Sequence, residues 1–492
     1  MKKLFYLILL LWCLFGQKVY SKDHWTCDWG ASASLSGATG QHLPFWAHTG
    51  RNGIVPTTSN ASLMLGADVY YSASNCFFFE GGANFAGWLA ASVPSGGAYV
   101  TGVIDRLYAS VGWKMLRADI GMLPHQKELG ELTVTGGNLL WSSNARNLPG
   151  INLKSDWIPV LKWFALRANL AHYNMNDNRA VVGTMLHNKS LEAKIIINSR
   201  VSLSGGLEHI AQWGGVSELW GPQPSSFSDY IRVFFALNGD SGALDTDQVN
   251  VLGNHLGREY IRVDWNADRF GLVFQYDKPF EDGSGLRLLN VPDGVWSVKF
   301  DLKDSKSFVK EVVYEYVNTT WQSGPLHDRP ATEEEMEKQD PSDPYYGFIS
   351  LKGCDNYFAN GIYCSGWTYH GRIIGLPLIG GLVFDEKGAV KNVACGRVRA
   401  HHVGVGGSLV EGCPYNLKVT YSRNYGRYDQ DENSVFASAP WQLSMALEVG
   451  IQRNITRLPV QFWVGVYSDL GQLYEDSFGL TLKVAHRGSR SF

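Results

Sequence analysis

WQLSMALEVGIQ, residues 441–452, alternates apolar side chains with small or polar ones. Leu443, Met445 and Leu447 fall in one register, and Ser444 and Glu448 fall in the other. Because successive side chains of a β-strand point to opposite faces, the segment has one apolar face and one polar face. It runs for about 9–11 residues, the length with which a tilted strand crosses a bilayer, whereas strands of soluble sheets usually run about 5–6 residues. The stretch therefore predicts a strand that spans a membrane.

The same alternation returns in six other places. The ranges that share it are 261–265, 272–277, 296–303, 311–316, 460–466 and 478–484. Charges such as Lys299, Asp301 and Lys303 recur on the second face of the middle strands, and charges are costly in a dry core. The strands are therefore expected to enclose a wide polar lumen.

The length of the chain sets the expected number of strands. With roughly 26 residues for each strand and its share of turn, the sequence predicts an all-β fold, a transmembrane antiparallel β-barrel of about 18 strands. The final strand is expected to end at Ala485, which leaves residues 486–492 as a short tail.

The N-terminus is typical of an exported protein. Lys2 and Lys3 precede an apolar run over residues 4–15 and a short segment that ends at Ser21. This order resembles a secretory signal peptide, and the run is shorter than the roughly 20 residues of a spanning helix. We expect a signal peptide over residues 1–21 and a single barrel domain over residues 22–492, located in the outer membrane.

The composition excludes other classes of protein. Mean hydropathy is −0.14, which is too low for a bundle of membrane helices. Aromatic residues make up 13% of the chain and glycines number 54, which suits long twisted strands with aromatic girdles. The net charge is −3 without a basic stripe, so a nucleic-acid partner is not expected. Outer-membrane lipid is the expected surrounding of the barrel.

One connection between strands is expected to be long and extracellular. It extends over about residues 324–346 and contains four prolines and a run of glutamates. Thr332 followed by Glu335 resembles a capping box, which predicts a helical turn over residues 332–338. Charge runs of this kind usually form solvated surface, and no further role is assigned to this one.

The mature chain contains an even number of cysteines, which in an exported protein allows disulfides. The spacing favours three local pairs, with free thiols as the alternative: Cys354 with Cys364, Cys395 with Cys413, and Cys27 with Cys76. No CxxC occurs and no Cys/His cluster has ligand spacing, so neither a metal nor another cofactor is expected.

Several segments interrupt the alternation. In chain order they are 137-GNLLWSSNARNLPG-150, 209-HIAQWGG-215, 253-GNHLG-257, 279-PFEDGSGLRLLNVPDG-294, 318-NTTWQSGP-325 and 360-NGIYCSGWTYHGRIIGLP-377. Their serial order resembles the Wzi family of capsule-assembly outer-membrane proteins, in the branch common among Bacteroidota. The resemblance implies an 18-stranded barrel with a plugged lumen that holds capsular polysaccharide without enzymatic activity. Because no amphipathic helical plug is evident near the N-terminus, the loops are expected to occlude the lumen.

These segments are rich in residue types that bind sugars. Flat aromatic rings cover the apolar faces of pyranoses, and Asn, Asp, Glu and Arg bind their hydroxyls. The candidate glycan-binding residues are Trp213, Asn254, His255, Glu281, Asp282, Arg287, Asn318, Trp321, Tyr357, Trp367 and Arg372. The alternative is that the same side chains hold loops and lumenal networks in place.

Catalysis is not expected. Glu281 and Asp282 are adjacent, so on a strand they point apart, whereas glycosidase carboxylates converge to about 5–9 Å. No GxSxG or HExxH motif occurs. The function expected from sequence is a non-catalytic barrel that binds surface or capsular polysaccharide and supports capsule assembly or attachment. The alternatives are a structural subunit that binds other outer-membrane proteins, and a porin.

Overall fold

A computed structural model gives the architecture of the chain. It describes residues 24–73, 76–92, 96–244, 247–248, 251–281, 288–304, 306–326, 329–342, 346–349 and 353–492. The expected signal peptide, residues 1–21, lies outside the described residues.

The chain forms a closed antiparallel β-barrel, as the alternation predicts. Its strands are β1 His24–Ala38, β2 Asn60–Ser72, β3 Phe77–Ala91, β4 Ala98–Trp113, β5 Leu116–Met122, β6 Pro149–Ser155 continued by Ile158–Leu161, β7 Phe164–Asn174, β8 Met185–Ile196, β9 Val201–Trp213, β10 Asn254–Asn266, β11 Phe270–Phe280, β12 Gly294–Leu302, β13 Glu311–Asn318, β14 Val398–Val410, β15 Cys413–Asn424, β16 Trp441–Ile451, β17 Gln461–Gly471 and β18 Ser477–Ser491. The sheet has 19 segments, and both parts of β6 pair with β7, which makes 18 strands.

The first and last strands close the ring. The register of β1 on β18 runs from Thr26 opposite Ser491 to Ala38 opposite Gly479. The expected end of the last strand at Ala485 is therefore wrong. The strand continues because the residues after Ala485 still find backbone partners on β1.

The two ends of the barrel differ. His24 of β1, Ser491 of β18 and the short turns lie at one end, for example the turn between β14 and β15, where Val410 pairs with Cys413. The long connections lie at the other end, and the longest joins β13 to β14 over residues 319–397. Short turns are typical of the periplasmic side of such barrels and long loops of the extracellular side. The predicted loop at 324–346 is thus one part of a longer connection.

The two faces of the wall follow the predicted alternation. Leu447, Val466 and Leu480 are exposed on the outer face. Glu448 faces the lumen, where it forms an ion pair with Arg51. The apolar register therefore faces lipid and the polar register faces inward.

Where the structure describes them, the connections contain only short elements. The helices are α1 Phe45–His48, α2 Phe227–Phe235, α3 Glu333–Met336 and α4 Arg453–Thr456, with a 3₁₀ turn at Val435–Ser438. The short strands outside the barrel are Val181–Val182, Val216–Ser217, Gly221–Pro222, Arg329–Pro330, Phe348–Ile349, Thr368–Tyr369, Arg372–Ile373, Gly380–Phe384 and Val390–Cys395. The predicted turn at 332–338 forms as α3, and Thr332 N donates a hydrogen bond to Glu335 (2.9 Å). Within the described ranges, no helix is long and apolar enough to cross a membrane.

Two connections fold inward and fill the extracellular half of the lumen. We call residues 123–148 the first plug segment and residues 353–379 the second plug segment. They meet where Leu376 N donates to Leu139 O (2.9 Å), and a side chain at position 375 would clash there, because the Cβ atom that Gly375 lacks would lie 2.2 Å from that oxygen. Their apolar side chains, with α1, form the main hydrophobic core of the molecule. The expectation that loops occlude the lumen is confirmed.

A buried charge network holds the first plug segment. Arg258 of β10 lies between Glu208 (2.8 Å) and Asp277 (3.1 Å) on the neighbouring strands. The same guanidinium donates to Gly137 O (3.3 Å), and Asp277 accepts a hydrogen bond from Leu139 N (3.0 Å). The plug backbone is thus satisfied by side chains of the wall.

The periplasmic half of the lumen contains a large polar cavity. Below the plug lies a cavity of about 670 Å³. Charged side chains on its wall include Glu128, Arg167, Lys194, Arg262, Asp264, Lys299 and Asp301. This part of the barrel matches the polar lumen predicted from the alternating charges.

The six cysteines of the described chain, Cys27, Cys76, Cys354, Cys364, Cys395 and Cys413, are free thiols. The expected disulfides are corrected accordingly. Cys395 precedes β14 and Cys413 follows it, so the strand of 13 residues separates them by roughly 40 Å. A disulfide needs Cα atoms within about 7 Å of each other.

The other two pairs are also apart. Cys354 N bonds to Gly324 O (2.6 Å) in the outer loop, whereas Cys364 lies near the buried Arg179. Cys27 lies within β1 opposite Val69, and Cys76 lies in the turn after β2. Closeness along the chain therefore did not indicate closeness in space.

Candidate functional site

A two-residue hairpin brings Arg372 to the extracellular surface. Strands Thr368–Tyr369 and Arg372–Ile373 pair, and the residues between them, His370 and Gly371, have φ angles of +48° and +70°. Positive φ at both central positions is the geometry of a type I′ turn, which glycine at the second position favours. The turn is anchored because His370 N donates to Asp177 (2.9 Å).

The guanidinium of Arg372 is fixed by neutral groups. It lies 2.6 Å from His48 Nδ1 and donates to Val55 O (2.8 Å). Desolvation, followed by the charge of Arg146, lowers the pKa of Arg372 to about 10, so it stays cationic at neutral pH. Desolvation also lowers the pKa of His48 well below its ordinary value, which leaves a neutral ring as the acceptor. Arg372 has no ion-pair partner among the residues that the structure describes.

These residues belong to a cleft of about 610 Å³ between the connections of the extracellular side. Two carboxylates also lie in it, but each is bound to backbone. Asp469 accepts a hydrogen bond from Phe45 N (2.8 Å), and Glu475 accepts one from His42 N (3.0 Å). Arg372 and Arg146 are therefore the charged groups of the cleft that form no ion pair with a carboxylate of the described residues.

Aromatic rings complete the cleft wall. Tyr99, Tyr474 and Phe384 line it and remain exposed at its surface. Exposed rings beside guanidinium groups are the combination that sugar sites use, since rings cover pyranose faces and guanidinium groups bind hydroxyls or carboxylates. In the described ranges, no group of three or more His, Cys, Asp or Glu side chains is placed to hold a metal ion.

Most of the candidate residues lie elsewhere. The buried ones are Trp213, Asn254, His255, Asn318, Tyr357 and Trp367. The polar atoms of five of them bind protein groups, as in Asn254 to Gln212 (2.8 Å) and Trp367 to Tyr357 O (2.9 Å), whereas the buried indole nitrogen of Trp213 has no hydrogen-bond partner among the described residues. Their burial favours the structural alternative for these six, and glycan contact by them stays a prediction.

The remaining candidates are divided. Trp321 is exposed, and its indole donates to Leu289 O (3.0 Å). Glu281 accepts a hydrogen bond from Asn356 N (2.9 Å). Asp282 and Arg287 lie outside the described residues. Of the nine candidates that the structure describes, Arg372 alone lines the cleft.

The structural network has a centre that the sequence did not reveal. Asp293, at the end of the 279–294 segment, is fully buried and accepts hydrogen bonds from Asn318 (3.1 Å) and Tyr357 (3.2 Å). It also accepts the backbone N–H groups of Trp321 (3.0 Å) and Gln322 (2.7 Å). Its signal in the sequence was only its place just before a strand, while Asn318, Trp321 and Tyr357 were noticed as separate residues.

No family model and no curated protein sequence matches this chain. Among solved structures, it is similar to Wzi of Escherichia coli, an outer-membrane protein involved in group 1 capsule assembly and a carbohydrate-binding β-barrel. The match covers 92% of this chain and 83% of that chain, with a TM-score of 0.55 and 14% identity. The chain has the fold of an outer-membrane β-barrel.

Two further matches are weaker. OprD of Pseudomonas aeruginosa matches over 94% of this chain and 95% of that chain, at 10% identity and a TM-score of 0.43. OccAB4 of Acinetobacter baumannii matches over 96% of this chain and all of that chain, again at 10% identity and 0.43. The predicted place of this chain in the Bacteroidota branch stays a prediction.

Proposed function

We propose that this barrel is a non-catalytic binder of surface or capsular polysaccharide and supports capsule assembly or attachment. The observation that carries the proposal is the extracellular cleft, in which cationic Arg372 and Arg146 lie beside exposed aromatic rings. Its position on the extracellular side suits a ligand that is already outside the cell. The likeness in fold to a carbohydrate-binding barrel supports the same reading.

The arginine of the cleft that has no carboxylate partner indicates the kind of sugar. Its carboxylates are bound by backbone N–H groups, whereas Arg372 faces no carboxylate among the described residues. A uronic acid or another acidic sugar would supply the missing anion, and guanidinium groups bind carboxylates through paired hydrogen bonds. We therefore propose an acidic polysaccharide as the ligand.

A specific observation argues against the porin alternative. The two plug segments pack apolar side chains across the extracellular half of the lumen, and they lie above the polar periplasmic cavity. In planar bilayers, the purified barrel should give no steady ion conductance. Stable open channels would favour the porin.

Binding can be tested directly on the purified barrel. Alginate, a polymer of uronic acids, should bind, and neutral dextran of the same length should not. Arg372→Gln together with Arg146→Gln should weaken alginate binding at least tenfold. The matched control is Lys387→Gln, because Lys387 is an exposed extracellular cation that pairs with Glu218 outside the cleft.

The aromatic side of the cleft provides an independent test. Tyr99→Ala and Tyr474→Ala remove exposed rings, and each should weaken binding while the barrel stays heat-modifiable in gels. In cells, the double arginine variant should release capsule into the medium at a normal surface level of the protein. Unchanged capsule retention and unchanged alginate binding would contradict the proposal and favour the role of a partner subunit.

A further inference from the structure

The connection between β9 and β10 folds over the outside of the barrel. It contains α2, whose Val233 is fully buried against Ala211 and Trp213 of the wall. The helix begins at a capping box, in which Ser226 Oγ accepts from Asp229 N (3.2 Å) and the Asp229 carboxylate accepts from Ser226 N (2.7 Å). The helix is therefore docked on a surface that in a barrel of this kind normally faces lipid.

The wall beneath α2 is polar. Asn188 faces the lumen, where it donates to Glu208 (3.0 Å), so His187 and Lys189 on either side of it face outward. On β9, His209 lies in the outward register next to the lumenal Glu208. Imidazole and amine groups are costly on a lipid-facing wall. This patch therefore requires a cover.

Helix α2 provides that cover with matching contacts. The hydroxyl of Tyr230 lies 3.3 Å from His187 Nδ1, and the two rings meet edge-on with centroids 5.5 Å apart. Lys189 Nζ donates to the carbonyl oxygen of Phe234 in the last turn of the helix. The same ammonium lies 4.4 Å from the centre of the Phe234 ring. The helix thus gives His187 and Lys189 the partners that acyl chains cannot supply.

The opposite face of α2 is apolar and exposed. Phe227, Ile231 and Phe235 lie one turn apart and are 78%, 40% and 63% exposed. Beside the helix, Leu191 and Leu207 belong to the outward register of the wall and are 61% and 49% exposed. The outer face of the helix therefore continues the apolar surface of the barrel.

We infer that α2 is an in-plane membrane helix whose face of Phe227, Ile231 and Phe235 inserts among the acyl chains of the outer leaflet, near the extracellular rim. Amphipathic helices of this kind sink their apolar face about 5–10 Å into the boundary between headgroups and acyl chains. Continuity with the lipid-facing wall identifies lipid as the occupant. A nine-residue helix offers far less surface than the roughly 800 Å² per partner of a stable protein interface.

Photo-crosslinking in living cells tests this inference. Benzoylphenylalanine is placed at position 227 or 235, at Leu191 as the lipid-facing control, and at Val435, which is 71% exposed in the turn Val435–Ser438 between β15 and β16. Adducts with acyl chains at 227 and 235, within about twofold of the yield at 191 and absent at 435, are the expected result. Adducts with a protein at positions 227 and 235 would overturn the inference, and so would a lack of adducts like that at 435.

A protease measurement separates insertion from simple exposure. Arg232 lies within α2, so lipid insertion should protect it from trypsin in vesicles of phosphatidylethanolamine and phosphatidylglycerol. The triple change Phe227→Asp, Ile231→Asp and Phe235→Asp should speed cleavage at Arg232 at least tenfold, while cleavage at the exposed Lys387 stays unchanged. Equal cleavage rates at Arg232 in both proteins would contradict the inference.

Discussion

The backbone groups of the last three strands and those of the first plug segment find their hydrogen-bond partners in opposite ways. In β16–β18, each backbone group pairs with the next strand in an unbroken register, as in Val464 opposite Leu482. In the first plug segment, Leu139 N bonds to the carboxylate of Asp277, and Val134 N bonds to that of Glu315. The wall therefore depends on a repeated pattern, whereas the plug depends on individual buried side chains.

Among changes to the plug, removal of Arg258 should cause the largest loss in the free energy of unfolding. Arg258→Ala leaves the buried carboxylates Glu208 and Asp277 without their cation, which typically costs roughly 3–5 kcal/mol. The measurement is the urea midpoint of unfolding together with hydrogen exchange at residues 134–141. As a control, Arg200→Ala breaks the exposed pair with Asp268, which should cost only about 0–1 kcal/mol. Equal losses of stability in the two variants would contradict the view that the buried ion pairs of the plug matter more than an exposed surface pair.

In the wall, two adjacent positions should differ sharply in how much an introduced arginine lowers stability. Leu191→Arg places a charge on the lipid face near the middle of β8 and should cost roughly 2–4 kcal/mol. Ser190→Arg places the same side chain in the lumen, near Glu192, and should be tolerated. Refolding into vesicles, followed by urea titration, measures both variants. If Ser190→Arg is the more harmful change, the assigned register of β8 is wrong.

Asp293 should be the most sensitive acid among the loops. Asp293→Asn turns an amide toward donors such as Gln322 N and Tyr357 OH, and each unsatisfied donor costs roughly 1–3 kcal/mol. Limited proteolysis of residues 319–397 should detect the loosened loop. The control is Asp385→Asn in the exposed turn. The nearer change Asn290→Asp is unsuitable as a control, because Asn290 itself donates a hydrogen bond to Pro279 O.

The same carboxyl makes the stability of this region depend on pH. Burial raises the pKa of Asp293 to about 6, above the roughly 3.9 of an unfolded aspartate. Its contribution to stability is thus complete below about pH 3.9 and is lost as the pH rises through 6. The advantage of the wild type over Asp293→Asn in the proteolysis assay should grow from pH 7 to pH 5. A constant difference would show that the carboxyl is ionised throughout.

The smallest effect concerns the contact between the plug segments. Gly375→Ala forces a Cβ atom against Leu139 O, and overpacking of this kind costs roughly 1–3 kcal/mol. Gly361→Ala in the same segment meets nothing within 4 Å and should change stability by less than about 0.5 kcal/mol. Thermal melts of the two variants, with hydrogen exchange at Leu376 N, measure the difference. Similar melts would place the two plug segments further apart than described.

The wall could be predicted from sequence because its pattern is local. The alternation around Leu447 and Leu480 indicated strands and their lipid face, the chain length indicated about 18 strands, and the structure confirms each. The end of β18 was missed because residues 486–491 have no apolar register, although they still pair with β1.

The plug was only partly predictable. The irregular segments were identified, but the sequence did not show which of their side chains point into the core. Trp367 and Arg372 lie in one motif, yet the first is buried and the second lines the cleft. That difference arises from contacts between distant segments, such as Leu376 with Leu139. The pairing of cysteines failed for the same reason, since a strand carries Cys395 and Cys413 to opposite ends of the barrel.

The seam between β1 and β18 carries a cost that the other strand pairs do not. Every other neighbouring pair in the ring is joined by a hairpin or a single connection, whereas the seam joins the two ends of the chain. The entropy of closing a loop of that length is roughly 5 kcal/mol by the logarithmic rule. The α1 connection, which follows β1, contributes to offsetting this cost, since Trp46 bonds to Thr420 (3.1 Å) and Phe45 N bonds to Asp469 (2.8 Å). A helix of one turn thus ties the first strand to the last strands from inside the lumen, in addition to the backbone pairing of the seam.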